Sequence, residues 1–444
     1  MQKNRRFVDW ALTEAESRRG SVTAARALAR SLRARINAFV SFREQRLPTQ
    51  AAALAGVPYA AKDIFVTADR RPRGGLVAEA RIFTGQSEVL HRLDAAGADR
   101  IGYTAMSELA YQPSGYSSVS GAVRNPWHLE FICGGSSSGS AAAVASGAAV
   151  FALGSDTGGS LRIPAHACGV TAWKPTFGAV PMSGTMALAP SLDTVGLLAR
   201  SAADLAEPAR IMAEPMLLAP PVRRARVLAD VFAAAEPSVA AACRAAVEAI
   251  AGVGVSIASK DGLAAIEKLD PSVFTIMQAE AAQTQRALIG VGVLDAVLER
   301  RLSKGLSIDG TRLKGALAMR SRFAAEFREQ IFGDADILLL PVMPIRTTQL
   351  ASCDPRSDRF APKTLYDLSR FTRFVNILGL PVVAVPAGFD DRDMPVGLQV
   401  VGRPGADDAL IELARIMQAH TDWHARVPYA VGDLIGASPD DPQP

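Results

Sequence analysis

Short runs of apolar residues, separated by Gly, Pro and polar residues, dominate the chain. Runs of this length between turn residues predict buried strands, and the Val- and Leu-rich ones are typical of the centre of a mixed sheet. They occur at 54–66, 100–103, 336–341 and 371–404. Apolar residues that recur every three or four positions predict helices. These are expected within 5–46 and at 89–98, 242–251, 276–288, 294–332 and 407–420, with a linker at 207–226.

Two clusters of glycine and serine stand out against this pattern. They lie at 134–140 and 154–160, and a run of small apolar residues joins them. A buried helix or strand formed by that run would bring both clusters to one end of a core element. Glycine lets backbone N–H groups approach a ligand closely. The clusters therefore predict either a phosphate cradle or a serine nucleophile beside an oxyanion hole.

The phosphate cradle is the less favoured interpretation, because neither cluster continues into the Lys-Ser or Lys-Thr of a P-loop. Ser137 stands at the nucleophile position of a formal G-x-S-x-G match, but such matches are frequent in a stretch this rich in Gly and Ser. None of the five histidines lies in a recognisable triad context: His91, His128, His166, His420 and His424. A serine hydrolase with a lysine base remains.

The segment Gly56-Val57-Pro58-Tyr59-Ala60-Ala61-Lys62-Asp63 precedes the two glycine-serine clusters. Together these three motifs resemble the amidase signature family, whose members use a Ser–cis-Ser–Lys triad, and the segment is similar to the family's lysine motif. The resemblance then implies that Lys62 is the base, Ser136 the intermediate serine in a cis peptide, and Ser160 the nucleophile. The two serines are 24 residues apart, as in the family. A lysine inside this apolar run is expected to be partly buried, which would lower its pKa.

The same resemblance implies supporting roles around the triad. Ser137 and Ser155 would orient Lys62, and Asp156 and Arg162 would form an ion pair that stiffens the loop. The oxyanion would be held by backbone N–H groups of four residues: Thr157, Gly158, Gly159 and Ser160. Tyr111 and Tyr116, in a turn-rich loop before the core, are candidate substrate contacts, although ordinary packing tyrosines are equally expected there. No charged residue of the pocket indicates whether the substrate is acidic or basic.

Composition narrows the functional classes. The chain has 444 residues, of which 49% are hydrophobic and 21% charged, and a net charge of +4. These values predict a globular protein with neither a nucleic-acid stripe nor a membrane span, and no signal peptide is expected. The four cysteines show no metal-ligand spacing, which fits a cytoplasmic location. No metal or organic cofactor is expected, and relatives in this family are often homodimers.

The predicted fold is an α/β/α domain, a twisted mixed sheet with helices on both faces, as the resemblance implies. The single domain, 1–444, would comprise N-terminal helices at 1–50, a signature core at 54–206, a variable helical region over the substrate site at 207–335, closing strands and a helix at 336–420, and a loose tail at 421–444.

The predicted function is hydrolysis of the C–N bond of a small amide through an acyl-enzyme on Ser160. Three alternatives stay open. The same chemistry serves a carbamate, aryl ester or anilide. A glutamine-hydrolysing component of an amidotransferase would pass ammonia to a partner. A phosphate-binding module is the remaining possibility.

Overall fold

The structure is a computed structural model that describes residues 15–44, 52–77, 83–116, 121–213, 215–216 and 218–435. The start of the first predicted helix and the end of the predicted tail lie outside these residues.

Eleven strands of the described residues form one sheet. They are β1 (Phe39–Phe42), β2 (Pro58–Lys62), β3 (Asp99–Thr104), β4 (Phe151–Asp156), β5 (Thr171–Lys174), β6 (Thr194–Ala199), β7 (Arg224–Leu228), β8 (Ser256–Lys260), β9 (Ile337–Pro341), β10 (Val382–Phe389) and β11 (Pro395–Gly402). Their order across the sheet is β1-β3-β2-β4-β6-β5-β10-β11-β9-β7-β8. Strand β2 is parallel to its neighbours β3 and β4, and β7 is parallel to β8 and β9. The pairs that lie from β4 to β9 in the sheet order are antiparallel, so the predicted mixed sheet is confirmed.

The α-helices of the described residues connect these strands. They are α1 (Ala15–Ile36), α2 (Glu88–Ala95), α3 (Ser138–Ala145), α4 (Arg162–Cys168), α5 (Ala202–Met212), α6 (Ala229–Ala233), α7 (Pro237–Gly252), α8 (Leu263–Glu267), α9 (Asp270–Thr284), α10 (Ala296–Gly305), α11 (Gly310–Glu326), α12 (Pro362–Leu368), α13 (Arg373–Leu378) and α14 (Asp407–Gln418). None of these helices combines the length and apolarity that a bilayer crossing requires.

Both faces of the sheet are covered. Successive side chains of a strand point to opposite faces. In β2, Tyr59 and Ala61 belong to one apolar core, with residues of α5 and α14, whereas Ala60 belongs to a second core, with residues of α3 and α4. All five residues of β2 are buried. Burial on both faces explains why this strand is a continuous apolar run in the sequence.

The run between the two glycine-serine clusters forms both a helix and a strand, α3 and β4. Every residue of each is buried. The helix lies close to the sheet because Gly154 has no side chain: a Cβ there would lie 2.7 Å from Ser137 Oγ. Strands β2 and β4 are parallel, with Ala61 opposite Leu153, so both end at the same edge of the sheet. The fold thereby brings the ends of the lysine motif and the second cluster together.

The region 207–335 also contains strands, whereas the sequence predicted a helical region. Strands β7 and β8 extend the sheet at its end, beyond β9. Residues of β8 are mostly exposed, and β7 carries two arginines. The edge strand β8 and the partly exposed strand β7 beside it lack the continuous apolar pattern of buried strands, and charged residues near a sheet edge discourage aggregation. This is why the prediction missed them.

Three further segments differ from prediction. The expected linker at 207–226 begins inside α5 and ends inside β7. Residues of α13 form a helix, not a strand, and the left-handed Gly379 ends it. The described part of the expected loose tail packs on the fold, since Val431 is buried and the ring of Tyr429 lies 6.0 Å from that of Trp127.

Candidate active site

Lys62 is the last residue of β2 and is completely buried. Its Nζ lies 2.7 Å from Ser136 Oγ, 2.9 Å from Ser155 Oγ and 3.1 Å from Ser137 Oγ. Burial disfavours the charged amine and lowers the pKa of Lys62 to about 7, although Asp156 and Asp193 oppose the shift. A large fraction of Lys62 is therefore neutral near pH 7 and able to accept a proton.

Ser137 and Ser155 hold the two clusters together beneath this amine. Ser137 Oγ lies 3.2 Å from the carbonyl oxygen of Ser155 and 3.3 Å from its backbone nitrogen. The hydroxyls of Ser137 and Ser155 both contact Nζ, as does that of Ser136, so the lysine amine has three hydrogen-bond partners. The sequence resemblance implies an orienting role for these two serines, and both hydroxyls lie within hydrogen-bond distance of Nζ.

Ser136 and Ser160 differ in their access to the cavity. Ser136 is fully buried and follows a cis peptide bond with Gly135. Ser160 is 9% exposed and lines a cavity of about 360 Å³. Its carbonyl oxygen accepts a hydrogen bond of 3.2 Å from the N–H of Ser137. Among the hydrogen bonds of the described residues, none joins the two Oγ atoms. Such catalytic bonds are often long in free enzymes and tighten when substrate binds.

A buried ion pair supports the loop that carries Ser160. Arg162 and Asp156 are both fully buried, with Nη2 and Oδ1 2.9 Å apart and Nε and Oδ2 3.0 Å apart. Burial alone would raise the pKa of Asp156, but Arg162 holds this pKa well below its usual range. The carboxylate also accepts hydrogen bonds from the N–H groups of Gly159 and Leu161. The pair thus fixes the backbone on both sides of Ser160.

The N–H of Gly159 is therefore not available to an oxyanion, which differs from the prediction that included it. It donates to Asp156 Oδ1 at 2.7 Å. The N–H groups of Thr157, Gly158 and Ser160 have no acceptor among the turn and loop bonds of the described residues. All three residues line the cavity. These three groups are the candidate oxyanion donors.

The cavity extends from Ser160 to side chains that the sequence analysis did not single out. Tyr111 lines it, whereas Tyr116 does not; the Tyr116 hydroxyl instead accepts a hydrogen bond from Arg356. Helices α9 and α10 contribute Phe274, Met277, Gln278, Arg301 and Lys304, and further residues include Tyr366, Ser369 and Arg373. In the sequence, Arg301 and Lys304 are indistinguishable from the solvated face of an amphipathic helix.

Within the described residues, no group of three or more His, Cys, Asp or Glu side chains is placed to hold a metal ion. What the geometry does provide is a buried amine in contact with serine hydroxyls, next to a cavity with an accessible serine. This arrangement suits covalent catalysis by an activated hydroxyl.

Comparisons with known proteins agree with this chemistry. The family model described as Amidase matches residues 22–411. The chain is 33% identical to a glutamyl-tRNA(Gln) amidotransferase subunit of Marinomonas sp. (strain MWYL1), with 88% of this chain and 91% of that protein covered. A crystal structure of an amidase superposes with a TM-score of 0.81 at 27% identity, covering 90% of this chain and 95% of the other. The corresponding glutamyl-tRNA(Gln) amidotransferase subunit of Thermotoga maritima gives the same score and identity, covering 95% and 96%.

Proposed function

The chain belongs to the amidase signature family of enzymes that act on C–N bonds, and we propose that it hydrolyses an amide through an acyl-enzyme on Ser160. The observation that carries this proposal is the buried Lys62 amine, 2.7 Å from Ser136 Oγ, beside a cavity that Ser160 lines. A neutral lysine held against a hydroxyl is a base positioned for proton transfer.

In the proposed reaction, Lys62 accepts the proton of Ser136 as Ser136 accepts the proton of Ser160. The Ser160 oxygen attacks the amide carbonyl carbon, and the N–H groups of Thr157, Gly158 and Ser160 stabilise the oxyanion. Collapse of the tetrahedral intermediate breaks the C–N bond, and the proton returns through Ser136 to the leaving nitrogen. Water then attacks the acyl-enzyme by the same proton path, which releases the acid and restores Ser160.

Amide hydrolysis is expected to fall below neutral pH. The base must be neutral, and the pKa of Lys62 is lowered to about 7 by burial. As pH falls below that value the lysine becomes protonated, so kcat/KM should drop roughly tenfold per pH unit and level off above pH about 8. A pH–rate profile on any turned-over amide measures this directly.

Two other groups titrate in the same range and provide the control. Burial raises the pKa of Glu108 and lowers that of Lys174, each to about 7. The variants Glu108→Gln and Lys174→Gln should keep the fall of kcat/KM below neutral pH. Loss of this fall in either variant would contradict a lysine base. So would a wild-type rate that stays flat down to pH of about 5, two units below the Lys62 pKa.

The amide itself has two candidate classes. One is a small amide hydrolysed by the chain alone; a carbamate, aryl ester or anilide would use the same acyl chemistry. The other is glutamine, hydrolysed within an amidotransferase that passes ammonia to a partner. The curated relatives favour the second, because two of them, from Marinomonas and Ralstonia pickettii, are tRNA amidotransferase subunits with 33% and 32% identity. That class would bring a protein partner and tRNA, contrary to the prediction of no nucleic acid.

A substrate panel on the purified chain separates these classes. Glutamine, a series of acid monoamides, an aliphatic amide, an anilide and an aryl carbamate are compared in wild type and in Ser160→Ala. Turnover of one class that is lost in the variant supports the acyl-enzyme and identifies the bond. Turnover that persists in the variant would overturn the proposal.

A further inference from the structure

The charges around the cavity are all of one sign. Three basic side chains line it and, among the described residues, no Asp or Glu does. Arg373 is neutralised by Asp270, since its Nη2 lies 2.7 Å from Oδ2 and its Nε 3.0 Å from Oδ1. The side chains of Arg301 and Lys304 form no ion pair with any described residue. The cavity therefore carries two uncompensated cations.

The packing of α10 fixes the stretch of backbone that carries both cations. They are three residues apart and so share a face of the helix. The adjacent face is anchored by Leu298 and Leu302, which are buried. Gly305 lets α10 approach α9 closely, because a Cβ there would lie 2.3 Å from the carbonyl oxygen of Gln278.

The start of α10 is tied to the signature core. The N–H of Asp295 donates to Glu108 Oε1 at 2.8 Å, and the Asp295 carboxylate accepts the N–H of Val297. Glu108 lies three residues before Tyr111, which shares the cavity wall with Arg301. The cationic face of α10 therefore has a fixed position in the wall of the cavity that Ser160 also lines.

We propose that the cavity takes an amide whose acyl group ends in a carboxylate and carries no ammonium group, that is, the monoamide of a dicarboxylic acid. Arg301 and Lys304 would bind the carboxylate while Ser160 attacks the amide, so this inference rests on the proposed function. A guanidinium binds a carboxylate through paired, charge-assisted hydrogen bonds. The ammonium of glutamine would meet two cations and no lining carboxylate, and such a mismatch disfavours binding. The charge pattern therefore selects against glutamine as the amide.

The test compares three amides of equal chain length. Glutaramate has a carboxylate and no ammonium, glutamine has both, and pentanamide has neither. We expect kcat/KM for glutaramate to exceed that for pentanamide and for glutamine by roughly 10- to 100-fold, the scale of one or two charge-assisted hydrogen bonds. Malonamate and succinamate, assayed alongside, determine which chain length reaches both Ser160 and the cations.

Variants assign the effect to the two cations. Arg301→Met and Lys304→Met should each lower kcat/KM for the preferred monoamide by about tenfold, mainly through KM, and should lower kcat/KM for pentanamide by much less. Arg300→Met, at an exposed neighbouring position of α10 that does not line the cavity, should change neither.

The outcomes separate this inference from the proposed function. Amide turnover that depends on Ser160 but prefers glutamine or pentanamide, or that is indifferent to both substitutions, overturns the inference and leaves the function standing. If no amide is hydrolysed by the folded chain, or if turnover survives Ser160→Ala, the proposed function itself fails and the inference with it.

Discussion

Replacing Ser160 by Ala should lower amide turnover by about 10⁶-fold, as loss of the nucleophile does in other serine hydrolases. Ser136 cannot take its place, because it is buried and held against Lys62. The fold should be unaffected, since the bond that Ser160 makes to Ser137 uses its backbone carbonyl. The rate of ammonia release by purified wild type and variant, at matched thermal stability, measures the effect.

Ser138→Ala, in the first of the two glycine-serine clusters, is the matched control. Ser138 is buried, and its Oγ has no hydrogen-bond partner within the described part of the chain. Removing this hydroxyl should leave turnover at the wild-type rate. Comparable losses in the two variants would show that the serine clusters matter for packing and not for nucleophilic attack.

Arg162→Met is expected to have the largest effect on stability. Arg162 is fully buried and binds Asp156, the carbonyl oxygen of Thr372, and the side chains of Gln399 and Asn376. Removing one partner of a buried ion pair leaves the other charge uncompensated, which costs about 3–5 kcal/mol. The free energy of unfolding from denaturant titration at pH 7 should fall by this amount.

The pH dependence of this loss identifies its cause. With Arg162 present, the pKa of Asp156 is held low, so the wild type keeps this stabilisation above the ordinary aspartate pKa of about 4. Without Arg162, burial raises that pKa, and the variant recovers as Asp156 takes up a proton. The deficit should therefore shrink between pH 7 and pH about 4.

Arg415→Met is the control for this substitution. Arg415 pairs with Glu412 on the solvent side of α14, with half of each side chain exposed. A surface pair of this kind is worth about 0–1 kcal/mol. Equal losses in the two arginine variants, or an Arg162 deficit that does not change with pH, would contradict the proposed role of the buried pair.

Strand β2 and the two glycine-serine clusters could be predicted from the sequence because burial and close backbone packing leave a local pattern of residues. Strand β2 is buried on both faces, so it is visible as an apolar run that ends in Lys62. The glycine-serine clusters are visible because the backbone approaches side chains closely there, as at Gly154. The resemblance to the amidase signature family then related Lys62, Ser136 and Ser160, and the structure places the first two in contact.

The features that the sequence analysis did not predict depend on contacts between residues far apart in the chain, and no local sequence pattern reveals such contacts. Strand β8 is an exposed edge and has no apolar signal. The N–H of Gly159 turns to Asp156, which becomes visible only from the geometry of the loop. Arg301 and Lys304 resemble surface residues until contacts with α9 and Glu108 place α10 in the wall of the Ser160 cavity. The Tyr116 hydroxyl contacts Arg356, which lies 240 positions further along the chain.

Covalent labelling tests the acyl-enzyme most directly. A fluorophosphonate, which phosphonylates activated serines irreversibly, is incubated with the protein, and the labelled peptide is located by mass spectrometry. We predict one label, on Ser160, with loss of amide turnover in proportion to labelling. Labelling should be strongly slowed in Lys62→Ala and absent from Ser160→Ala. A label on Ser136 or elsewhere, or a protein labelled on Ser160 that keeps its amide turnover, would contradict Ser160 as the nucleophile.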